Sequence, residues 1–408
     1  MEGEDFPHDR MSLLSLIKSC RKGKNLQKAR RIHAHMILDH RDSISRDAHI
    51  ATTLITTYAK CGALEEATHL FNHLPLRDVV SWNALITAYA QHGLGYEALE
   101  CFRNMPSLGV RPSAVTFACI LKACGIVGSL EIGRKIDLQV RKEGLLDNDM
   151  LLGSALVDMY AKCGAIEKAQ ETFRQLRVRD VVSWTALIDA NVRHGLGHEG
   201  LECFRNMQRE GIMPNYVTYV CTLKACALIG SLEMGEEIQV EICRRGLLKK
   251  NGIVLGNALI DMYADFRMLA EAQKVFDQLS VLEIVSWNAL ISGYIQNGRV
   301  KEALECFEQL KLGGFSPNSA TFSSIVKAYG SIGNLNEIQN IHSEIVGKGM
   351  LENDIIVGTA LVDMYAKCGA LVHAQKLFDD LSIRDVVSWS ALIAGYAQHQ
   401  HYEEALSC

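Results

Sequence analysis

Few residues of this 408-residue sequence are arranged in a way that could support catalysis. His342 and Glu344 form a His-x-Glu pattern, in which a zinc-bound histidine and an acid–base glutamate would activate water. The zinc site would also need a Cys-x-x-Cys pair, and the sequence contains none. Walker, G-x-S-x-G and G-x-G-x-x-G motifs are absent too. We therefore expect no catalytic site, metal or cofactor, and we interpret His342 and Glu344 as surface residues of a helix.

The 13 cysteines include several that recur at regular places. They stand in Ala-Lys-Cys-Gly (Cys61, Cys163, Cys368), in Leu-Glu-Cys-Phe (Cys101, Cys203, Cys306) and in Leu-Lys-Ala-Cys (Cys124, Cys226). Copies of one position in a repeat array lie far apart, so they cannot form disulfides with each other. We interpret them as small buried apolar residues of a protein in a reducing compartment.

A stronger repeat surrounds the four tryptophans. The stretch Asp-Val-Val-Ser-Trp-Asn-Ala-Leu-Ile around Trp82 returns with small changes around Trp184, Trp287 and Trp389, at spacings of 102, 103 and 102 residues. Length alone would suggest two or three globular domains. A constant step instead predicts an array of structural repeats, in which each unit packs against its neighbours.

Each step of about 102 residues contains three sub-repeats that each read as two short amphipathic helices. In 79–113 the apolar stripes end at glycines, and Pro112 follows the second helix. Helices this short need neighbouring units for stability. The stripes are formed by Leu85, Ile86 and Tyr89, then by Ala98, Leu99, Phe102 and Met105. The pattern therefore predicts an all-α solenoid.

The predicted organisation is an N-terminal extension, 1–9, followed by a repeat array, 10–408. The 35-residue units are 79–113, 181–215 and 284–318, with a partial unit at 386–408. The short units are 48–78, 150–180, 253–283 and 355–385, and the long units are 10–47, 114–149, 216–252 and 319–354. Because the last unit breaks off inside its second helix, we expect the native protein to continue past Cys408.

Charge and hydropathy narrow the function only weakly. The net charge of −5 is no general nucleic-acid signature, although a solenoid can carry a basic concave face behind an acidic convex one. No apolar run reaches 18 residues, so we expect no membrane span. The acidic N-terminus resembles neither a secretory signal nor an Arg/Ser-rich transit peptide, so no targeting peptide is visible.

At this point the sequence resembles the pentatricopeptide repeat family, in the plant subgroup that alternates 35-residue, long and short motifs. The resemblance is carried by Val-Val-Ser-Trp-Asn-Ala-Leu-Ile, Asp-Met-Tyr-Ala-Lys-Cys-Gly-Ala, Glu-Ala-Leu-Glu-Cys-Phe and Gly-Val-Arg-Pro-Ser. The tetratricopeptide pattern of Trp, Leu, Gly and Tyr is absent. The resemblance implies a right-handed α-solenoid of the tetratricopeptide-like superfold.

The resemblance also implies sequence-specific binding of single-stranded RNA, one base per repeat. In the family the fifth and last residues of a unit read the base. In the 35-residue units these are Asn83 with Ser113, Thr185 with Asn215 and Asn288 with Asn318; in the short units they are Thr52 with Asp78, Ser154 with Asp180, Asn257 with Glu283 and Thr359 with Asp385. Ser390 is the fifth residue of the partial unit and has no partner in this sequence.

Two further sets of positions follow from the resemblance. The second residues of the 35-residue and partial units, Val80, Val182, Val285 and Val387, would sandwich the bases between apolar faces, although plain packing is an equal interpretation. The thirteenth residues, Lys60, Lys162, Arg193 and Lys367, would contact phosphates, or would only favour the helix C-terminus.

The last residues of the units have a second interpretation. Six of them directly precede a helix and would be good N-caps: Asp78, Ser113, Asp180, Asn215, Asn318 and Asp385. Capping and base reading are compatible in one residue. Asn83 and Asn288 could be solvated surface residues, but asparagine is unfavourable inside a helix, so its recurrence at one register needs a reason.

By the family's usual correspondence, Thr or Ser with Asp favours G, Thr with Asn favours A, Asn with Ser favours C, and Asn with Asn favours a pyrimidine. Reading from Thr52, with the long units blank, gives G-C-n-G-A-n-n-Y-n-G. The long units carry Leu14, Ala118, Val220 and Ser323 at the fifth position, and the first three cannot hydrogen-bond a base. In 253–283, Asp265 replaces the lysine and Asn257 with Glu283 is an unusual pair, so we expect that unit to read poorly.

Two classes of function remain. The first is an RNA-binding specificity factor for organellar editing or processing, in a mitochondrion or chloroplast. Its deaminase domain would be missing from this sequence, or a deaminase or editing cofactor would be supplied by a separate protein. The second is a protein-interaction solenoid that binds a peptide in its concave groove. A peptide-binding array has no reason to vary Asn, Thr and Ser at one register beside an invariant Trp. We therefore favour the first.

Overall fold

A computed structural model describes residues 10–38, 47–147, 149–351 and 354–408. All regular elements in this described part of the chain are helices, which confirms the prediction of an all-α fold. The chain divides into two compact units, Met1–Thr218 and Tyr219–Cys408. The predicted N-terminal extension, 1–9, lies outside the described residues.

The helices alternate with short turns along the whole described chain. The first unit contains α1 (Arg10–Gly23), α2 (Leu26–Leu38), α3 (Ala48–Lys60), α4 (Leu64–Asn72), α5 (Val79–Gln91), α6 (Gly95–Ser107), α7 (Ala114–Val127), α8 (Leu130–Lys142), the 3₁₀ turn Leu145–Asp147, α9 (Met150–Lys162), α10 (Ile166–Gln175), α11 (Val181–Arg193) and α12 (Gly197–Arg209). Helix α13 (Tyr216–Ile229) begins in the first unit and ends in the second.

The remaining helices are α14 (Leu232–Arg244), α15 (Leu247–Asp265), α16 (Leu269–Asp277), α17 (Ile284–Gln296), α18 (Val300–Leu312), α19 (Ser319–Ser331), α20 (Leu335–Gly347), α21 (Ile355–Lys367), α22 (Leu371–Asp380), α23 (Val386–Gln398) and α24 (Tyr402–Ser407). Helix α15 is interrupted at Asn251, whose φ of −129° and ψ of 32° are not helical. This break lies beside the predicted boundary between 216–252 and 253–283.

Helices pack against their neighbours in the chain order. In the first unit α5 contacts its partner α6 and the first helices of the adjacent pairs, α3 and α7. In the second unit α17 contacts α18, α15 and α19 in the same way. Because each pair buries its apolar stripe only against adjacent pairs, each unit has the packing of an α-solenoid, as the repeat predicts.

The four tryptophans form the most regular part of this packing. Each tryptophan meets a phenylalanine from the preceding short unit edge to face, at centroid distances of 4.5–4.7 Å; the pairs are Phe71–Trp82, Phe173–Trp184, Phe276–Trp287 and Phe378–Trp389. An edge-to-face pair stabilises the fold by about 0.5–1.5 kcal/mol beyond the contribution of the apolar area that it buries. The repeat spacing of tryptophan is therefore the spacing of one interface between adjacent helix pairs.

Tyrosine hydroxyls connect each short unit with the second helix of the long unit before it. The four pairs occupy one register and bond at 2.7–3.0 Å where distances are given: Tyr58–His33, Tyr160–Asp137 and Tyr365–His342, with Tyr263–Gln239 as the fourth. Since the buried hydroxyl would otherwise be desolvated without a partner, these bonds fix how a short unit seats on a long one.

The turns between paired helices use the left-handed region of the backbone. Gly369 has φ of +76°, which favours glycine because a Cβ is unfavourable there. In 253–283 the equivalent residue is Arg267, with φ of +61°. A left-handed conformation costs an L-residue about 1–2 kcal/mol, so this turn carries local strain that its counterparts avoid.

The expectation of buried cysteines holds only in part. Cys124, Cys226 and Cys306 are buried, and burial raises the pKa of Cys124 to about 12. The cysteines of the Ala-Lys-Cys-Gly turns, together with Cys101 and Cys203, are only half-buried: Cys61, Cys163 and Cys368. These three are C-caps of first helices, where the chain turns toward solvent.

Candidate nucleic-acid interface

The last residues of the predicted units are positioned by helix capping. Asp78 and Asp180 accept hydrogen bonds of 2.8 Å from the backbone N–H of Ser81 and Ser183. Ser113, Asn215, Asn318 and Asp385 receive the same kind of bond from the third helical residue. The capping interpretation is therefore confirmed for all six residues, and the bonds hold these side chains at the start of a first helix.

Glu283 is the exception among the last residues. It lies at the N-cap position of α17, yet its side chain makes no capping bond and is exposed. A glutamate is one methylene longer than aspartate and is a poorer N-cap. Its carboxylate is therefore less precisely positioned than those of Asp180 and Asp385.

The fifth residues lie beside the last residues on the adjacent helices. Asn83 Nδ2 donates to Ser113 Oγ at 3.4 Å, and Asn288 Nδ2 donates to Asn318 Oδ1 at 3.1 Å. Ser154 Oγ donates to Asp180 Oδ1 at 2.8 Å. The structure thus brings together, across about 30 residues of sequence or fewer, side chains that the family resemblance pairs.

Thr185 and Asn215 meet through a third residue. The Thr185 and Thr218 hydroxyl oxygens are 2.7 Å apart, and Thr218 Oγ1 donates to Asn215 Oδ1 at 3.1 Å. Thr218 was not among the sequence-predicted site residues. The signal was available, because Thr116 and Thr321 occupy the same third helical position after Ser113 and Asn318.

Three predicted pairs make no mutual hydrogen bond in the described residues: Thr52 with Asp78, Asn257 with Glu283, and Thr359 with Asp385. The Thr52 hydroxyl instead donates to the Ala48 carbonyl at 2.7 Å. The other two pairs each share the lining of one groove. Ser390, the fifth residue of the partial unit, is exposed and lines the groove of Thr359.

Three of the fifth residues hold a buried polar atom that lacks a partner in the described residues. These atoms are Asn83 Oδ1, Asn257 Oδ1 and Thr359 Oγ1. Thr359 as a whole is 9% exposed. A buried polar atom without a partner costs about 1–3 kcal/mol, and it marks a place where a ligand could complete the hydrogen bonding.

The grooves beside Asn257 and Thr359 are equivalent places in two short units. The first has a volume of about 380 Å³, and it is lined by Asn257, Glu283 and Val285 together with Asp261, Asp265 and Lys224. The second has a volume of about 580 Å³, and it is lined by Thr359, Asp385 and Val387 together with Asp363, Lys367 and Lys327. Each groove therefore combines a fifth residue, a last residue and a second-position valine.

The second-position valines are accessible. Val80, Val182 and Val285 are 52–53% exposed, and Val387 is 61% exposed, although each is followed by a buried serine. Packing alone would bury them, so their exposure favours a role toward a ligand. Sequence reasoning missed equivalent exposed residues in other units, at the same second position: Met11, Val115, Leu151, Val217, Val254 and Ile356.

Most of the thirteenth-position cations are paired with an acid one turn earlier. Lys162 Nζ lies 2.8 Å from Asp158 and Lys367 Nζ lies 2.7 Å from Asp363, and Arg193 pairs with Asp189. The i, i+4 spacing of these residues was a readable signal of such pairs. Partial neutralisation by the neighbouring carboxylate weakens their attraction for phosphate. Their assignment as phosphate contacts remains a prediction.

The unit at 253–283 departs from this pattern. Asp265 replaces the lysine, so Asp261 faces a second carboxylate instead of a cation. Although Asp261 is exposed, the groove walls exclude part of its water and raise its pKa, and the charge of Asp265 raises it further. Partial desolvation also raises the pKa of Asp265.

His342 is not the surface residue that the sequence suggests. Its Nδ1 lies 3.0 Å from the Tyr365 hydroxyl, its ring is half-buried, and this desolvation lowers its pKa. The position was misjudged because the partner comes from the next unit. Across the described residues no group of three or more His, Cys, Asp or Glu could hold a metal ion, and no helix is long and apolar enough to cross a membrane.

Comparison with known sequences matches most of the chain to repeats of one kind. The profile described as "PPR repeat family" matches residues 77–125, 179–227 and 282–331, and the profile "PPR repeat" matches 50–79, 154–181, 257–283, 320–350, 359–386 and 387–408. The chain belongs to the pentatricopeptide repeat family. The matched segments are repeat units, and none is a catalytic domain.

Two relatives from Arabidopsis thaliana illustrate the similarity. A chloroplastic pentatricopeptide repeat-containing protein is 36% identical over 96% of this chain and 48% of its own length. A mitochondrial one is 34% identical over 96% of this chain and 56% of its own length. The chain spans about half the length of the curated relatives it matches.

Solved structures show the same fold. The crystal structure of the pentatricopeptide repeat protein PPR10 from maize superposes with a TM-score of 0.68 at 20% identity, over 98% of this chain and 58% of that one. PPR10 in complex with an 18-nt psaJ RNA element gives a TM-score of 0.64 at 19% identity, over 97% and 62%. At such identities the likeness establishes the fold.

Proposed function

We propose that this chain is a sequence-specific single-stranded RNA-binding protein that reads one base per repeat. The observation that carries the proposal is the pairing of polar fifth and last residues across adjacent helices, such as Ser154 Oγ with Asp180 Oδ1 at 2.8 Å. Amide, hydroxyl and carboxylate groups are suited to reading Watson–Crick edges. The RNA complex of PPR10, a protein of the same family and fold, supports the proposal.

The surroundings of these pairs support contact with a base. The valines beside them are about half exposed, so an aromatic base could lie between two apolar side chains. Asn83, Asn257 and Thr359 each keep a buried polar atom that has no partner in the described residues. A base edge would supply the missing hydrogen bond, which is why binding would recover free energy that the free protein lacks.

The names of the relatives support a proposal for the place of action. Proteins similar along nearly the whole chain are named chloroplastic or mitochondrial, which supports an organellar location. We propose a role as a specificity factor in organellar RNA editing or processing, with a separate deaminase or editing cofactor doing any chemistry. The matched profiles describe repeat units, which supports RNA binding as the activity of this chain.

The proposal is tested by titrating three oligonucleotides at two salt concentrations: RNA containing G-C-n-G-A-n-n-Y-n-G, a shuffled RNA, and the corresponding DNA. Tight, salt-sensitive binding to the first alone is expected. Equal weak binding to all three would reject base reading. No binding to any would favour the alternative, a solenoid that binds a peptide.

A single substitution then tests the assignment of one base. Thr185→Asn converts the Thr185–Asn215 pair into Asn with Asn, so the preferred base at that place should change from A to a pyrimidine. A good polar contact is worth about 1–3 kcal/mol of discrimination, which is roughly 5- to 150-fold. The control is Ser343→Asn, since Ser343 is exposed on the second helix α20. An unchanged preference in Thr185→Asn would refute the assignment.

A further inference from the structure

Four lysines share one register that the base-reading pattern does not use. Each is the ninth residue of a predicted long unit, lies on the first helix of its pair and is exposed: Lys18, Lys122, Lys224 and Lys327. Both sequence neighbours of Lys122, Lys224 and Lys327 are buried, whereas Lys18 is followed by the exposed Ser19. At the first three positions the lysine is therefore the side chain that faces solvent.

The register directs these lysines toward the same face that reads bases elsewhere. The ninth residue follows the fifth by four, so it lies one helical turn further along the same face. The fifth residues of the long units offer little to a base, since Leu14, Ala118 and Ser323 are buried. In a long unit this face therefore presents a lysine in place of a base-reading group.

Two of the lysines lie in the grooves already described. Lys327 lines the groove of Thr359, Asp385 and Ser390, and Lys224 lines the groove of Asn257 and Glu283. The Thr359 hydroxyl in its groove is buried and has no partner in the described residues. A ligand that reached this hydroxyl would bring its neighbouring groups close to Lys327.

Lys122 and Lys327 are also less neutralised than the thirteenth-position cations. Lys162 and Lys367 each pair with an aspartate four residues earlier. Four residues before Lys122 and Lys327 stand Ala118 and Ser323, and neither lysine has an ion pair in the described part of the chain. Lys224 differs, because its charge acts on Asp261 across the groove.

We propose that the ninth-position lysines of the long units bind phosphates of the RNA backbone, beside the base that the following short unit reads. The inference rests on the proposed function and deepens it, because it gives the long units a role: they hold the phosphodiester chain instead of reading a base. A lysine ammonium is a compact point charge on a flexible stem, which suits a phosphate contact that does not depend on the base.

The test compares the salt dependence of RNA binding among variants of the whole chain. The probe is the G-C-n-G-A-n-n-Y-n-G RNA, with the shuffled RNA as a second probe. A plot of log affinity against log salt has a negative slope. The double variant Lys122→Gln with Lys327→Gln should make this slope shallower by about 1.4, because each phosphate contact to a single strand contributes about 0.7 to its magnitude. The preference for the matched over the shuffled RNA should stay the same, since phosphates carry no sequence information.

Three matched variants separate this effect from others. The double variant Lys122→Arg with Lys327→Arg keeps the charges and should retain the slope. Lys142→Gln with Lys376→Gln removes two exposed lysines of second helices, α8 and α22, and should leave it unchanged. Lys162→Gln with Lys367→Gln removes the paired cations and should change the slope less than the loss of the ninth-position lysines does.

The outcomes distinguish this inference from the proposed function. If the wild-type chain binds the matched RNA but the Lys122→Gln, Lys327→Gln variant keeps the wild-type slope, the lysine role is wrong and base reading stands. A loss of sequence preference in that variant, with unchanged thermal unfolding, would also overturn it. If the wild-type chain binds no RNA, the proposed function fails and this inference fails with it.

Discussion

The Asn257 groove and the Thr359 groove differ in charge, although they occupy the same place in two short repeat units. Around Thr359 the pair of Asp363 and Lys367, together with Lys327, balances the carboxylate of Asp385. Around Asn257 the groove holds Asp261, Asp265 and Glu283 with Lys224 as its one cation among the lining residues. A single exchange in the repeat, lysine to Asp265, accounts for most of this difference.

A repeat can therefore keep its fold while its groove loses the electrostatic field that attracts a phosphate chain. The packing of 253–283 is intact, since Trp287 contacts Phe276 at 4.7 Å and Tyr263 bonds to Gln239 as its counterparts do. The electrostatic field is not, because Asp261 and Asp265 repel each other and any nearby phosphate. Folding and binding therefore depend on different residues of the same helix.

The largest expected effect comes from giving the Thr359 groove the charge of the Asn257 groove. Lys367→Asp removes the ion pair with Asp363 and places two carboxylates beside the bound RNA. Affinity for the matched RNA should fall by about tenfold at low salt, since a cation is replaced by an anion. Binding titrations check this. Lys376→Asp, on the second helix α22, is the control; an equal loss there would mean that net charge alone matters.

The reverse change should increase RNA binding at the Asn257 groove. Asp265→Lys restores the lysine of the other short units and gives Asp261 a partner four residues away. Affinity should rise by about fivefold at low salt, and the gain should shrink at high salt as the charges are screened. The control is Asp277→Lys, the same charge change at an exposed residue of the second helix α16. No gain over this control would contradict the comparison.

Stability should respond at the adjacent turn. Arg267→Gly places glycine at a φ of +61°, as in the turn of Gly369, and should raise the free energy of unfolding by about 1 kcal/mol. Urea unfolding measures the change. The converse variant, Gly369→Arg, should lose about as much, and a stabilisation by both or by neither would show that the turn carries no strain.

The smallest effect concerns pH. The pKa values of Asp261 and Asp265 are raised, so these carboxylates become neutral at a higher pH than an ordinary aspartate does. RNA affinity should therefore increase as pH falls through these raised values, by about twofold, because negative charge beside the phosphates is lost. The raised pKa values also affect folding. Their contribution to the free energy of unfolding is largest below the pKa of the unfolded state, and it decreases as pH rises through the pKa of the folded state.

Histidines elsewhere in the chain also change charge as pH falls. A variant without the two aspartate charges separates their contribution to the pH dependence of RNA binding from that of the histidines. In the double variant Asp261→Asn with Asp265→Asn, the groove retains Lys224 and Glu283 as its charged groups. The variant should bind more tightly than the wild type at neutral pH, and the difference should disappear as pH falls. A constant difference at every pH would show that the two aspartates do not titrate in the expected range.

Much of the candidate interface could be predicted from local sequence. The N-caps at Asp78, Ser113 and Asp180 follow from a short polar residue directly before an apolar helix. The ion pair of Asp158 with Lys162 was equally readable from the spacing of four, and the register of the long-unit lysines from aligning the long units. These features depend on one helix at a time.

Other features were beyond local sequence, because they depend on which helices touch. His342 pairs with Tyr365 across 23 residues, so a motif read along one helix gave it the wrong environment. The half exposure of Val182 was undecided for the same reason, since an apolar residue can face a neighbour or a groove. Burial without a partner, as for Thr359 Oγ1, is a property of the packed array alone.

The sequence by itself determined the period, the helix pairs, the family and the register at which polar residues recur, because a repeat imposes the same local environment on every copy. The tertiary structure decided which of those residues are available. Stacking of adjacent pairs buries some polar atoms without partners and leaves Lys122 and Lys327 exposed. Whether a residue can contact a ligand depends on the packing between repeat units, and the sequence of one unit does not specify that packing.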